Sequence, residues 1–338
     1  MTHIELAPPY LLLIGEEDDE TYAKTAMGIA HWQPEKVAGQ FRFEGCRLDL
    51  GVPDMTIPQA VEAGVRSLVI GVAPVGGTVP DAWWDVILEA ALAGLDIVCG
   101  LHVKLADNPE LVAAARESGA RLVDVRTPPA NLPVGTGHKR RGKRLLTVGT
   151  DCVTGKKFTA LALAAAMREG GMKATFRATG QTGIMLAGEG TPIDSVVSDF
   201  ISGAAELISP ENDDDHWDII EGQGSLLHPG YAAVSLGLLH GSQPDAIVVC
   251  HDAARTAISG WEHYPVASVA ECMEANLAMG RLTNPDIRCV GVSVNTASLE
   301  ARERRDYLER LARETGLPCI DPLVDGPGAI IEIIRKPS

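Results

Sequence analysis

The sequence predicts an α/β protein of two doubly wound domains with mainly parallel sheets. Three observations predict it. Short continuous apolar runs alternate with amphipathic helical patterns along most of the chain, as expected of strands covered on both faces. The 35 glycines among 338 residues suit tight strand–helix turns. A segment with neither periodicity, TPPANLPVGTGHKRRGKR (127–144), divides the alternation into two blocks.

In the first domain, residues 1–135, strands are expected at YLLLIG (10–15), RSLVIGVA (66–73), DIVCGL (96–101) and RLVDV (121–125). Helices are expected at 56–64, 81–94 and 108–119, with Asp81 and Asn108 as N-caps and Gly94 and Gly119 as stops. The run GVAPVGG (71–77) places Gly71, Pro74, Gly76 and Gly77 at a strand end, either as a structural turn or as a second anion loop. Residues 136–143 read as a basic linker, solvated or reaching toward an anion.

The second domain, 144–338, continues with strands at 144–149, 174–180, 217–222, 245–252, 288–295 and 317–323. Helices are expected at 156–170, 192–208, 230–239, 266–280 and 298–315.

Composition narrows the function. A content of 46% apolar and 22% charged residues belongs to a globular chain, and a formal charge of −16 argues against nucleic acid or an anionic membrane as partner. The acidic runs EEDDE (16–20) and ENDDD (211–215) read as solvated loops. Seven scattered cysteines without a CxxC pair, no basic leader and no run of spanning length together predict a cytoplasmic setting. A homo-oligomer, dimer or larger, is the default expectation.

The stretch LLTVGTDCVTGKKFTALALAAAM (145–167) carries the chemistry. An apolar strand delivers Gly149, the loop Thr150, Asp151, Cys152, Val153 and Thr154 follows, and Gly155-Lys156 opens a helix. This is the layout of a phosphate-cradling P-loop, in which backbone N–H groups and the positive end of a helix face an anion. Lys157 stands where a nucleotidase puts the Ser or Thr that holds magnesium, and an ammonium cannot ligate a cation. Thr154 and Thr159 are the alternative hydroxyls, without the usual spacing. A polyphosphate ligand and no tightly bound metal are therefore expected.

Ligands of a doubly wound sheet bind beyond the carboxyl ends of its strands. There the sequence places Arg177, Thr179, Gly180, Gln181, Thr182 and Gly183; then Glu221, Gly222, Gln223, Gly224, Ser225 and His228; then His251, Asp252 and Arg255; and finally Asn295. Arg177 and Arg255 suit a substrate carboxylate through forked hydrogen bonds. Glu221 occupies a Walker-B-like position. Asp252 is a helix cap or a catalytic group, and His228 a turn residue or an acid–base group. Asp199 lies on the expected helix 192–208.

Taken in order, GTDCVTGKK, RATGQTGIM, DSVVSDFISGAAE, EGQGSLLHPGY and CHDAART resemble a bacterial family long carried as a domain of unknown function, whose members are D-glutamate N-acetyltransferases. The resemblance implies a Rossmann-like N-terminal half, a P-loop C-terminal half, and transfer of acetyl from acetyl-CoA to D-glutamate or a related D-amino acid in D-amino-acid catabolism. On that footing residues 149–157 hold CoA phosphates. A carboxylate (Glu221, Asp199 or Asp252) or His228 takes the ammonium proton. Cys152 is a loop-packing thiol or an acyl carrier. A more distant likeness to dethiobiotin synthetase (GTD…GK, EGQG, VSVN) gives Asn295 an adenine edge to read. It also keeps open an ATP- and magnesium-dependent kinase or ligase. A non-catalytic CoA- or nucleotide-binding module is the third reading.

Overall fold

In the computed structural model, which describes residues 2–73 and 77–336, the four apolar runs of the first unit each form a strand. After β1 (Thr2–His3), YLLLIG becomes β2 (Tyr10–Gly15), buried throughout. There follow α1 (Lys24–Trp32), β3 (Val37–Arg42), α2 (Ile57–Glu62), β4 (Ser67–Ile70), α3 (Trp84–Leu92), β5 (Asp96–Cys99), α4 (Pro109–Ser118) and β6 (Leu122–Asp124). Among the described residues the sheet order is β3-β2-β4-β5-β6, all parallel.

Asn108 caps α4 as expected, accepting from the N–H groups of Glu110 and Leu111, and Gly119 ends it in the left-handed region. Asp81 is not a cap: it opens a 3-10 turn, and α3 starts only at Trp84. Gly71 is a packing glycine, since a Cβ there would stand 2.6 Å from that of Ala26. Pro74 and Gly76 lie outside the described residues.

From β7 (Lys143–Gly149) the chain runs through α5 (Lys156–Glu169), β8 (Ala174–Arg177), α6 (Gln181–Ala187), β9 (Glu189–Gly190), α7 (Ile201–Ile208), β10 (Trp217–Ile220), α8 (Ala232–Ser242) and β11 (Ala246–Asp252). The hairpin β12 (Ala257–Ile258) and β13 (Trp261–Pro265) precedes α9 (Val269–Gly280), β14 (Arg288–Asn295), α10 (Ala301–Thr315), β15 (Cys319–Ile320) and α11 (Gly328–Arg335). The parallel sheet has the order β15-β14-β11-β7-β10-β8. Its first strand, β7, is interior, and later strands add on both sides of it. That makes the end of β7 a topological switch point, where such folds bind ligands.

Two compact units result among the described residues: those of 2–128 with 180–195, and 129–179 with 196–336. In the first, β9 pairs antiparallel with β1, and Thr182 on α6 shares a buried 3.0 Å hydrogen bond with Thr25. The expected single helix over 192–208 is instead two 3-10 turns (Ile193–Ser195 and Ser198–Phe200) followed by α7. Val197, between the two turns, is non-helical (φ −58°, ψ 135°). Among the described residues, no helix is long and apolar enough to cross a membrane.

Candidate active site

The loop between β7 and α5 turns through the left-handed region at Val153 (φ +54°) and Gly155 (φ +90°). For a β-branched valine this is strain of about 1–3 kcal/mol, a cost met mostly at functional loops. Lys156, buried at the start of α5, donates from Nζ to the Asp151 carbonyl at 2.7 Å and to Thr154 Oγ1 at 3.5 Å. Gly149 makes room for this closure: a Cβ would stand 2.7 Å from Thr154 Oγ1 and 2.9 Å from Lys156 Nζ. Gly222 permits another close approach, since a Cβ there would run into the Thr147 carbonyl.

Both alternative hydroxyls are engaged in the protein's own hydrogen bonds. Thr154 Oγ1 donates to the Asp151 carbonyl at 3.2 Å, and Thr159 Oγ1 lies 3.0 Å from the Gly155 carbonyl and 2.7 Å from Ser293 Oγ. The Lys157 ammonium sits 4.8 Å from the centre of the Phe158 ring. On the other side of the loop, Thr150 Oγ1 meets His251 Nδ1 at 2.9 Å, and His251 Nε2 meets Tyr307 Oη at 2.9 Å. Burial lowers the His251 pKa, Asp252 opposing and Arg255 adding to the shift.

Asp151 is the hub of the loop. Its fully buried carboxylate accepts from the Cys152 N–H at 2.6 Å, from Arg255 Nη1 at 2.7 Å and from the Ser259 N–H at 2.9 Å. Arg255 was expected to grip a substrate carboxylate; in the structure its Nη1 bonds Asp151. Arg177 likewise turns to the buried Asp218, 2.7 Å from Nε. Each arginine meets a carboxylate far along the chain, which sequence order does not display.

His228 stands beside this hub, packed against the rings of Tyr231 (4.6 Å) and Trp261 (4.8 Å). Its Nδ1 accepts from the N–H groups of Gly230 and Tyr231, at 3.0 and 3.2 Å. Its Nε2 lies 3.7 Å from Asp151 Oδ1 and, among the described residues, has no hydrogen-bond partner. Burial lowers the His228 pKa; Asp151 opposes the shift and Lys156 adds to it. Ligand atoms of Asp151, Cys152 and His228 lie within 4.8 Å of one another, a grouping that invites a metal reading. A metal-bound histidine, however, donates from its second nitrogen, and here that nitrogen accepts.

Other expected residues form smaller groups. Glu221 is buried and accepts from the Thr179 N–H at 3.0 Å, while Thr179 Oγ1 donates to the Glu221 carbonyl at 2.6 Å. Gly222 donates to Thr147 Oγ1 at 2.9 Å, and the buried Ser225 accepts from the Leu227 N–H at 3.2 Å. Gly149, Gly222 and Ser225 line one small crevice. Asp252 accepts from Asn295 Nδ2 at 3.0 Å and from the Ala254 N–H. It ends β11, so it caps no helix.

Asp199, exposed on a 3-10 turn, joins none of these groups among the described contacts. Gly180, Gln181, Thr182 and Gly183 do not form the expected loop: Gly180 precedes α6 and the other three begin it, in the first unit. There Gln181 takes Arg126 Nε at 2.6 Å and donates to Thr25. Sequence reading missed Ser259, Tyr231 and Trp261, whose signals were only a turn (SGW) and two isolated aromatics.

Comparison with known proteins places this geometry. Residues 133–331 match the family described as "Domain of unknown function (DUF1611_C) P-loop domain", and 41–128 its Rossmann-like N-terminal counterpart, DUF1611_N. A curated protein of Tritonibacter scottomollicae named D-glutamate N-acetyltransferase is 46% identical over 96% of this chain and 98% of its own. One of the same name from a Pseudoalteromonas species is 46% identical over 97% and 99%. The crystal structure of a DUF1611 family protein from Anabaena variabilis, 33% identical, superposes with a TM-score of 0.88, covering 98% of this chain and all of that one.

Proposed function

The chain belongs to the DUF1611 family, and we propose that it transfers the acetyl group of acetyl-CoA to the amine of D-glutamate. The observation that carries this is full-length similarity, through both units, to two curated D-glutamate N-acetyltransferases. The loop chemistry supports it. Lys156, the start of α5 and the loop N–H groups suit phosphate, while Lys157 replaces the hydroxyl that a magnesium-dependent nucleotidase needs. Coenzyme A offers phosphates without requiring a catalytic cation.

The residues divide the work as follows. The segment 149–156 holds the donor's phosphates. Glu221, buried where β10 meets its loop, takes the proton from the substrate ammonium. The free amine attacks the thioester carbonyl, the C–S bond breaks, and the second proton shed by the nitrogen goes to the departing CoA thiolate, giving the amide and free CoA. Asn295, at the end of β14, reads the adenine edge with Asp252 bound beside it. A cytoplasmic, reducing setting suits the thiols of Cys99 and Cys272, which burial pushes up to about 12.

The test is to mix protein, acetyl-CoA and D-glutamate with a thiol reagent and identify the product by mass spectrometry. CoA release with formation of N-acetyl-D-glutamate is expected. No CoA release across a panel of D-amino acids defeats the reading. Magnesium-dependent ADP formation with a carboxylic substrate replaces it with phosphoryl transfer.

A further inference from the structure

His228 is set up for a role other than the acid–base role expected of it. Two backbone N–H groups point at Nδ1, so that nitrogen must keep its lone pair and the ring proton resides on Nε2. Tyr231 and Trp261 fix the ring plane. The side chain is fully buried, yet the Nε2–H donor has no partner among the described residues; the Asp151 oxygen at 3.7 Å is out of hydrogen-bond reach. Buried donors are rarely left unmet in native proteins, and one that is calls for a ligand or a function.

Three roles fail on this geometry. A general base must offer a lone pair at the nitrogen facing the site, and Nε2 has none. Metal ligation needs the same lone pair. Activating Cys152 as an acyl carrier would also require Nε2 to take the thiol proton. What remains is donation. The charges around the donor are those of an anion site: the Lys156 ammonium, the N-terminus of the 14-residue α5, and an Asp151 whose carboxylate is already met by Arg255 and two backbone N–H groups.

We propose that His228 is a fixed, neutral N–H donor to the phosphate seated in the 149–156 loop, and so a binding residue for the acyl donor rather than an acid–base catalyst. This rests on the reading of that loop as the acyl donor's phosphate cradle.

The experiment compares wild type, His228→Gln and His228→Leu. Gln keeps an N–H near the place of Nε2; Leu keeps bulk alone. His228→Leu is expected to raise the KM for acetyl-CoA and weaken inorganic pyrophosphate binding by calorimetry, each about tenfold or more, with kcat much less affected. His228→Gln recovers most of the loss, and the shape of the pH–rate profile is unchanged in both. Nitrogen NMR of the wild-type imidazole shows the Nε2–H tautomer, so the proposal stays testable if a variant fails to fold. An Nδ1–H tautomer, loss of a pH limb in His228→Gln, or unchanged pyrophosphate affinity in a folded His228→Leu overturns it. If no acetyl transfer occurs at all, pyrophosphate binding and the tautomer still decide the donor role separately from the enzymatic reading.

Discussion

The carboxylate of Asp151 and the guanidinium of Arg255, 104 positions apart in sequence, meet at 2.7 Å, and the carboxylate is fully buried. This pair ties the phosphate loop to the segment before the β12–β13 hairpin. It uses Arg255 Nη1, one of the guanidinium's donors. Removing one member of a buried pair leaves an uncompensated charge. Arg255→Met is expected to lower stability by about 2–3 kcal/mol, below the fully buried range because the arginine keeps some exposure. Urea unfolding of Arg255→Met, Asp151→Asn and the double variant checks this. A double variant as unstable as the sum of the singles argues against coupling.

Lys156 has the opposite expectation. Its ammonium bonds only to loop oxygens among the described contacts, so Lys156→Met should fold with modest loss of stability. The KM for acetyl-CoA should rise about 10- to 100-fold, the worth of a charge-assisted phosphate contact. Steady-state kinetics with melting curves checks both. An unchanged KM contradicts the cradle.

Gly222 has no room for a side chain because the Thr147 carbonyl occupies the place of its Cβ. Both are main-chain positions beside a sheet, and neither can swing away. Gly222→Ala is expected to cost about 1–3 kcal/mol or more, seen as a lower unfolding midpoint. A midpoint equal to wild type removes the packing argument.

Stability should also fall on mild acidification. Burial lowers the pKa of both His228 and His251 in the folded protein, against an unfolded value of about 6.5. Above that pH both states are neutral and the stability is fully present. As the pH drops toward the folded pKa, the unfolded chain binds protons first, and stability is lost. The loss is at most about 1.4 kcal/mol per pH unit for each group, and less where solvent reaches the ring. Melting temperature should decline from about pH 7 to about pH 5.5, more gently in His228→Gln. A rise over that range has the wrong sign.

Chelation should change nothing. With Lys157 in the place of the metal hydroxyl, dialysis against EDTA is expected to leave acetyl transfer and melting temperature unaltered. Lost activity that magnesium restores points back to nucleotide chemistry.

Much of the scaffold was legible because uninterrupted apolar runs leave few alternatives. YLLLIG and RCVGVSVN became β2 and β14 residue for residue. β3 went unseen because Gly39 and Gln40 break its apolar pattern, although Gln40 is buried and satisfied by Asp49 and Val52. α1 is short and has no side-chain cap at Ala23. At the site, the loop could be read because its glycines and lysine are contiguous. The fates of Arg177, Arg255 and His228 could not, since each depends on a contact that only the folded sheet creates: Asp218, Asp151, and a turn closing back on an imidazole.

Crystals of the protein with acetyl-CoA test the central claim most directly. The account predicts a donor phosphate within hydrogen-bond distance of Lys156 Nζ, the 149–156 N–H groups and His228 Nε2. Donor phosphates bound elsewhere, with ATP and magnesium filling that loop instead, contradict it.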